Sequence, residues 1–130
     1  MIDDNEADNE YHQVIIDRMA IAHQVLTFRC AEGAINFLRE NNHVIPELIF
    51  LDINMPRMNG WDFLEKYKVL SLNKSATAVI ILSTTDNPED VEKARNIDCV
   101  SAFKDKPLTG KLLREILDSH TFEKESQKSE

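Results

Sequence analysis

The sequence predicts a doubly wound α/β fold, in which helices cover both faces of a parallel sheet. Three observations support this: the chain has the size of one domain, its apolar segments show no polar alternation, and strands alternate with amphipathic helices. The chain has 130 residues, of which 42% are hydrophobic and 29% charged, as in ordinary globular proteins. A chain of this length buries roughly two thirds of its surface and needs neither disulfides nor a metal to hold its core.

The first half of the chain alternates helix and strand twice. The segment Glu10 to His23 has apolar residues at helical spacing, and the short segment Gln24 to Phe28 that follows it is rich in β-formers. A second amphipathic helix begins near Ala31 and ends in the polar pair Asn41-Asn42. The run Leu48 to Leu51 is entirely apolar, which is typical of a strand covered on both faces in a parallel sheet.

The second half of the chain continues this alternation. Asn59-Gly60 opens a third helix, and Ala78 to Leu82 is another continuous apolar strand. Pro88 suits the first turn of a fourth helix that runs through Ile97, and Val100 to Phe103 is predicted as a short strand. The final helix is marked by an N-cap residue and four apolar residues: Thr109, Leu112, Leu113, Ile116 and Leu117. The alternation predicts right-handed crossovers between parallel strands.

Charge and cysteine content exclude several classes of function. The chain has 15 basic and 23 acidic residues, and its net charge of −8 argues against nucleic-acid binding and against binding to an anionic membrane surface. Cys30 and Cys99 stand far apart without the spacing of a zinc site, so we expect reduced thiols in the cytoplasm. No apolar stretch reaches the ~18 residues that a membrane span requires.

Polar residues follow the predicted strands at the positions where parallel sheets place their chemistry. These residues are, in chain order, Asp3 and Asp4 near the start, Asp52, Ser83 and the pair Lys106-Pro107. Taken singly, each has an ordinary structural explanation: the first two acids belong to an acidic run, Asp52 could end a turn or cap a helix, and Lys106-Pro107 could be a loop. Their order and their common position at strand ends point to a single site.

Four runs of residues together resemble the receiver domain of two-component response regulators. They are Ile2-Asp3-Asp4-Asn5, the run from Phe50 to Gly60, Ile81-Leu82-Ser83-Thr84 and Phe103-Lys104-Asp105-Lys106-Pro107. The resemblance implies a flavodoxin-like fold with a doubly wound five-stranded parallel sheet, in the order 2-1-3-4-5, flanked by five helices. It extends over residues 1–120 as one receiver domain and leaves residues 121–130 as a polar tail, which we expect to be disordered.

The resemblance also implies a nucleophile and a metal site. Asp52 is the implied phosphoryl acceptor, and Asp4 and Asp52 would bind Mg²⁺ directly, together with the backbone carbonyl of Asn54. Asp3 would act on the ion through a coordinated water. Carboxylate and carbonyl oxygens are the ligands that Mg²⁺ prefers, and a divalent cation offsets the repulsion between an aspartate and an anionic phosphoryl donor.

Further residues are implied in phosphoryl binding, switching and hydrolysis. By resemblance, Lys106 would neutralise the phosphoryl oxygens, and the Ser83 hydroxyl would donate a hydrogen bond to one of them. The peptide bond between Lys106 and Pro107 would be cis. Ser83 and Phe103 would form the switch, with Phe103 changing rotamer on phosphorylation. The positions that would set the rate of dephosphorylation are Asn54 and Thr85.

The predicted function is a signalling switch that modifies only itself. A sensor histidine kinase or a histidine phosphotransfer protein would phosphorylate Asp52, and a downstream protein target would bind the switched face. No output module follows the final helix, so we expect a stand-alone receiver that is a monomer or weak dimer. Two alternatives are a phosphatase of the haloacid dehalogenase kind, which would need an acid where Asn54 stands, and a receiver-like binding module that is never phosphorylated.

The start of the chain departs from the resemblance. Only Met1 and Ile2 precede Asp3, whereas the first strand of a receiver is longer and central in the sheet. A central strand of two residues leaves backbone groups of both neighbouring strands unpaired, so we expect further residues ahead of Met1. The histidines share no spacing, and we expect surface or partly buried imidazoles without a role in the site: His12, His23, His43 and His120.

Overall fold

The computed structural model describes residues 1–18, 25–41, 45–55, 57–70, 77–84 and 87–118. Its helices and strands are α1 (Glu6–Arg18), α2 (Ala31–Glu40), β1 (Leu48–Leu51), α3 (Gly60–Lys68), β2 (Ala78–Ser83), α4 (Pro88–Arg95), β3 (Val100–Asp105) and a last helix, α5, at residues 110–118. Within these ranges, no helix has the length and apolar character needed to cross a membrane.

The sheet is parallel, and its spatial order is the predicted one. β1, β2 and β3 pair in that order, with Phe50 opposite Ile80. Ile2 forms parallel bridges to both Phe28 and Leu51, which places the start of the chain between the segment at Phe28 and β1. The order is therefore 2-1-3-4-5, with Phe28 and Ile2 in the places of the second and first strands.

Two of the five predicted strands are single bridges. The predicted strand Gln24 to Phe28 is reduced to the bridge at Phe28, and residues 19–24 lie outside the described ranges. Ile2 stands alone in place of a first strand: its N–H donates to the Phe50 carbonyl at 2.8 Å, and its carbonyl accepts from the Asp52 N–H at 2.9 Å. On the opposite side, Met1 and Asp3 form backbone hydrogen bonds with Phe28, and the Met1 amino group donates to the carbonyl of Leu26 at 2.9 Å.

Side chains alternate across the sheet and fill two apolar layers. Ile49 and Leu51 of β1 pack in one layer with α2, α3 and α4, whereas Phe50 packs in the other with α1 and α5. In the first layer the rings of Phe63 and Tyr67 stack with centroids 5.7 Å apart. Because both faces of β1 and β2 are covered, their residues form continuous apolar runs.

An apolar cavity lies beside the bridge at Ile2. Its volume is about 340 Å³, and Ile2, Phe28, Leu38 and Phe50 are among the residues that line it. Ile2 therefore has neither a long hydrogen-bond ladder nor close packing on all sides.

The first helix begins earlier than the sequence predicts, at Glu6 rather than at Glu10. The side-chain oxygen of Asn5 accepts a hydrogen bond from the Asp8 N–H at 3.1 Å, which is the contact of an N-cap residue. Glu6 and Asp8 lie in the first turn, where negative charge is favourable because of the helix dipole. The part of the acidic run from Glu6 onward is thus the first turn of a helix, whereas Asp3 and Asp4 precede that helix.

The other helix ends lie close to their predicted positions. Asn59 caps α3 through reciprocal side-chain contacts with Asp62, and α4 ends at Arg95, slightly before its predicted end. The Thr109 hydroxyl accepts a hydrogen bond from the Leu112 N–H at 3.1 Å. This contact confirms the predicted N-cap of the last helix.

Candidate functional site

Three carboxylates meet at the carboxyl edge of the sheet. Asp52 follows β1, and Asp3 and Asp4 follow the residue that pairs with β1, so the parallel pairing itself brings them together. Carboxylate oxygens of all three lie within 4.8 Å of one another. Asp3 and Asp52 are buried, and Asp4 is more exposed than either.

The ammonium group of Lys106 lies among these carboxylates. Its Nζ is 2.6 Å from Asp3 Oδ2, 2.9 Å from Asp8 Oδ2 and 3.6 Å from Asp52 Oδ2. The lysine side chain is only 10% exposed. A buried ammonium needs such partners, because its charge would otherwise be costly away from water.

The ends of β2 and β3 position the lysine. The Lys106 N–H donates to the Ser83 carbonyl at 2.9 Å, and Ser83 is fully buried at the end of β2. The peptide bond between Lys106 and Pro107 is cis, the isomer that the resemblance implied. Phe103 lies on β3 and is partly buried against the layer formed with α2, α3 and α4.

Burial and charge shift two pKa values in the site. Burial raises the pKa of Asp52 to about 6, although the Asn54 N–H, which donates to Asp52 Oδ1 at 3.1 Å, and the charge of Lys106 both favour its ionised form. Burial lowers the pKa of Lys106, but hydrogen bonds to Asp3 and Asp8 and the charge of Asp52 outweigh this, so the pKa lies above its ordinary value. At neutral pH the site holds a charged lysine and an ionised Asp52.

The three carboxylates could together hold a hard divalent cation. Mg²⁺ prefers oxygen ligands and is usually bound through one or two carboxylates with several waters retained. The carboxylates of Asp3, Asp4 and Asp52 are close enough to share one ion. The charge of Asp3 also raises the pKa of Asp52, and a cation between these groups would relieve that repulsion.

Helix α1 contributes three side chains to which no sequence motif assigns a role in the site. Asp8 pairs with Lys106 as described above. The Asn9 amide donates to the Asp3 carbonyl at 2.8 Å, and His12 Nε2 accepts from the backbone N–H of Leu108 at 3.1 Å. These contacts connect α1 to the segments that carry Asp3 and Lys106.

The expectation of a surface or partly buried imidazole is wrong for His12, which is 1% exposed. Among the described residues, His12 belongs to no group that could bind a metal. Its hydrogen bond to Leu108 instead supports the segment that follows Lys106. Asn9, His12 and Ile16 are buried at helical spacing on one face of α1, and that spacing is the signal from which they could have been found. The other histidines lie outside the described ranges: His23, His43 and His120.

The structure describes only some of the remaining predicted residues. The Asn54 side chain is exposed, and its backbone N–H donates to Asp52 Oδ1. Thr85 lies outside the part of the chain that the structure describes, as do residues 119–130, which include the predicted tail. The structure therefore brings together the implied acceptor, the acidic residues and the lysine, and it gives no position for Thr85.

Sequence comparison relates the chain to signalling proteins. Residues 1–118 match the family model described as the response regulator receiver domain. The chain is 28% identical over 95 residues to the response regulator Rcp1 of Synechocystis, which covers 70% of this chain and 64% of Rcp1. It is 30% identical over 118 residues to the sensory/regulatory protein RpfC of Xanthomonas campestris, covering 89% of this chain and 15% of RpfC. The chain thus spans less than two thirds of either relative.

Solved structures give the same relationship. A two-component response regulator from Cytophaga hutchinsonii superposes with a TM-score of 0.85 and 30% identity, over 92% of each chain. A response regulator receiver protein from Dyadobacter fermentans has a TM-score of 0.83 and 30% identity, over 92% of this chain and 94% of its own. In fold as in sequence, the chain therefore resembles response regulators over most of its length.

Proposed function

Because this chain belongs to the response regulator receiver family, we propose that Asp52 is the residue at which it accepts a phosphoryl group. Receiver domains act in two-component signal transduction and interact with histidine kinases and downstream targets. The family match leaves the haloacid dehalogenase interpretation without support. The observation that carries the proposal is the meeting of buried Asp52 with two further carboxylates and the Lys106 ammonium at one edge of the sheet.

The transfer to Asp52 forms one bond and breaks one. An ionised carboxylate oxygen of Asp52 attacks the phosphorus, the bond from phosphorus to the phosphohistidine nitrogen breaks, and its electron pair remains on the imidazole. The product is an acyl phosphate. The Lys106 ammonium, already 3.6 Å from Asp52 Oδ2, stabilises the negative charge on the phosphoryl oxygens.

We assign Mg²⁺ binding to Asp4 and Asp52 directly, to the Asn54 carbonyl, and to Asp3 through a water. The close approach of the three carboxylate groups supports this assignment. When bound, the ion offsets the repulsion between the site and an anionic phosphoryl donor. Asp3, Asp4 and Asp52 would hold the ion, and the charge of that ion would help to bind the anionic donor.

We further propose that Ser83 and Phe103 sense the phosphoryl group. Ser83 lies at the end of β2 and Phe103 on the adjacent strand β3, and the ring of Phe103 is only partly buried against the core. Asn54 and Thr85 are proposed to set the rate of dephosphorylation. Asn54 is exposed beside Asp52 and is not acidic, so it would activate water poorly.

The wider assignments are proposals of the same kind. We propose one receiver domain over residues 1–120, a polar tail over residues 121–130, a monomer or weak dimer, and a sensor histidine kinase or histidine phosphotransfer protein as donor. The free thiols of Cys30 and Cys99 support a reducing, cytoplasmic location. The self-phosphorylation and self-dephosphorylation at Asp52 would be the only reactions of the chain.

Labelling by acetyl phosphate tests the acceptor role. Wild-type protein with Mg²⁺ should gain the mass of one phosphoryl group, and Asp52→Asn should gain none, because an amide is not a competent nucleophile for this transfer. Asp17→Asn removes an exposed aspartate of α1 and should be labelled like wild type. Undiminished labelling of Asp52→Asn would show that another residue is the acceptor.

A further inference from the structure

The ion pair between Asp8 and Lys106 is a contact that the acceptor chemistry does not require. Lys106 Nζ lies 2.6 Å from Asp3 Oδ2 and 2.9 Å from Asp8 Oδ2, but 3.6 Å from Asp52 Oδ2. We infer that Asp8 is a regulatory residue, which competes with the phosphoryl group for Lys106 and so limits phosphorylation of Asp52. The inference rests on the proposed function, because it concerns the same lysine and the same acceptor.

The hydrogen-bond donors of Lys106 set up this competition. An ammonium group has three donors. Asp3 and Asp8 each accept one of them, at 2.6 and 2.9 Å. Only one donor is left for the oxygens at Asp52, so a phosphoryl group there can gain a second hydrogen bond only when a carboxylate releases the lysine.

Asp8 is the carboxylate that can release Lys106 most easily. Its side chain is 38% exposed, against 5% for Asp3 and 8% for Asp52. A partly exposed carboxylate regains hydration when its ion pair opens, so such pairs are weak and reversible. Asp3 is held more firmly, because its Oδ1 also accepts the Asn5 N–H at 2.9 Å.

Charge repulsion from Asp8, like its competition for Lys106, disfavours phosphorylation of Asp52. The backbone of Asp8 is held near the site in the first turn of α1, where its N–H donates to the Asn5 side chain at 3.1 Å. Its negative charge therefore stays close to any dianion that forms on Asp52 and raises the free energy of the phosphorylated state. Both effects predict that removal of the Asp8 charge favours phosphorylation.

The test compares variants in the dependence of labelling on acetyl phosphate concentration. Asp8→Asn and Asp8→Ala should reach half-maximal labelling at about three- to tenfold lower acetyl phosphate than wild type, the size expected for one partly screened charge interaction. Asp8→Glu keeps the carboxylate and should stay closest to wild type. Thermal unfolding of each variant establishes that it is folded.

Glu6→Gln is the matched control. Glu6 lies in the same first turn of α1, and its carboxylate is 3.9 Å from Arg29 on the surface, so the substitution removes the same charge without touching Lys106. It should leave the half-maximal concentration unchanged. An equal gain in Glu6→Gln would assign the effect to net charge and overturn the role of Asp8.

The remaining outcomes separate the inference from the function on which it rests. Weaker labelling of the Asp8 variants would mean that Asp8 positions Lys106 for catalysis, and unchanged labelling would mean that the ion pair has no effect; either result overturns the inference alone. Absence of labelling in wild-type protein would overturn the proposed function together with the inference.

Discussion

At the scale of single residues, the burial of Asp52 in the site also changes its pKa, and therefore the stability of the folded protein. Its pKa is raised by burial from 3.8 to about 6, so the folded protein binds this proton more tightly than the unfolded chain does. Asp52 therefore stabilises the fold at low pH, and this contribution is lost as the pH rises from about 4 to about 6. At neutral pH the ionised carboxylate destabilises the folded protein, chiefly because it is buried and to a smaller extent because Asp3 is close.

Asp52→Asn should therefore stabilise the protein at neutral pH. We expect the free energy of unfolding to rise by ~1–3 kcal/mol at pH 7, because the substitution removes a buried negative charge. The gain should shrink towards zero near pH 4, where the wild-type carboxyl is already protonated. Urea unfolding of both proteins at the two pH values measures this, and an equal gain at both would mean that ionisation is not the cause.

His12 is the second residue with a measurable structural role. Its Nε2 accepts the Leu108 N–H in a buried contact between α1 and the segment after β3. His12→Leu leaves that N–H without an acceptor and should lower the free energy of unfolding by ~1–3 kcal/mol. His12→Gln retains an acceptor and should lose less. Urea unfolding compares the two, and equal losses would mean that packing, not the hydrogen bond, is what His12 provides.

At the scale of elements, α3 begins directly against the loop that carries Asp52. A Cβ at Gly60 would lie 2.6 Å from Ile53 Cα and 2.9 Å from the Asp52 carbonyl oxygen, so only glycine fits there without a shift of the loop. Gly33 in α2 differs, because a Cβ there would meet Cys30 Sγ at 3.4 Å and little else.

Substitution by alanine should have opposite effects on stability at the two glycines. Gly60→Ala should lower the free energy of unfolding by ~1–3 kcal/mol, since the clash involves backbone atoms, and it should weaken labelling of Asp52. Gly33→Ala should raise the free energy of unfolding by ~0.5–1 kcal/mol, because alanine favours helix over glycine. Thermal or urea unfolding measures both, and a loss at Gly33 as large as that at Gly60 would contradict the steric explanation.

Elements could be predicted from the sequence where a local pattern determines them. The apolar run Leu48 to Leu51 became β1 with the predicted ends, and Pro88 begins α4 as expected. The start of α1 was missed because its cap, Asn5, stands within an acidic run that also suits a loop. The strand predicted up to Phe28 was overestimated, because its length depends on how far its neighbour at Ile2 continues the pairing.

At the scale of the whole molecule, the site could be predicted only in part. The carboxylates and Lys106 follow strands, and a parallel sheet brings its strand ends to one edge. The partners on α1 could not be predicted in this way. Lys106 and Asp8 are 98 positions apart, and no local pattern indicates which surface acid will face a distant lysine.

The cavity beside Ile2 predicts a local opening of the site, which hydrogen exchange can detect. Asp3 and Asp4 follow Ile2, which lines a cavity of about 340 Å³, so residues 1–5 should open locally without unfolding β2. The Ile2 and Asp52 amides should then exchange with deuterium faster than those of Ile80 and Leu82, and added Mg²⁺ should slow them. Each opening removes two carboxylates from the site, so the apparent affinity for metal is reduced to the fraction of molecules in which the site is closed. Warming should therefore weaken metal binding before the sheet itself melts.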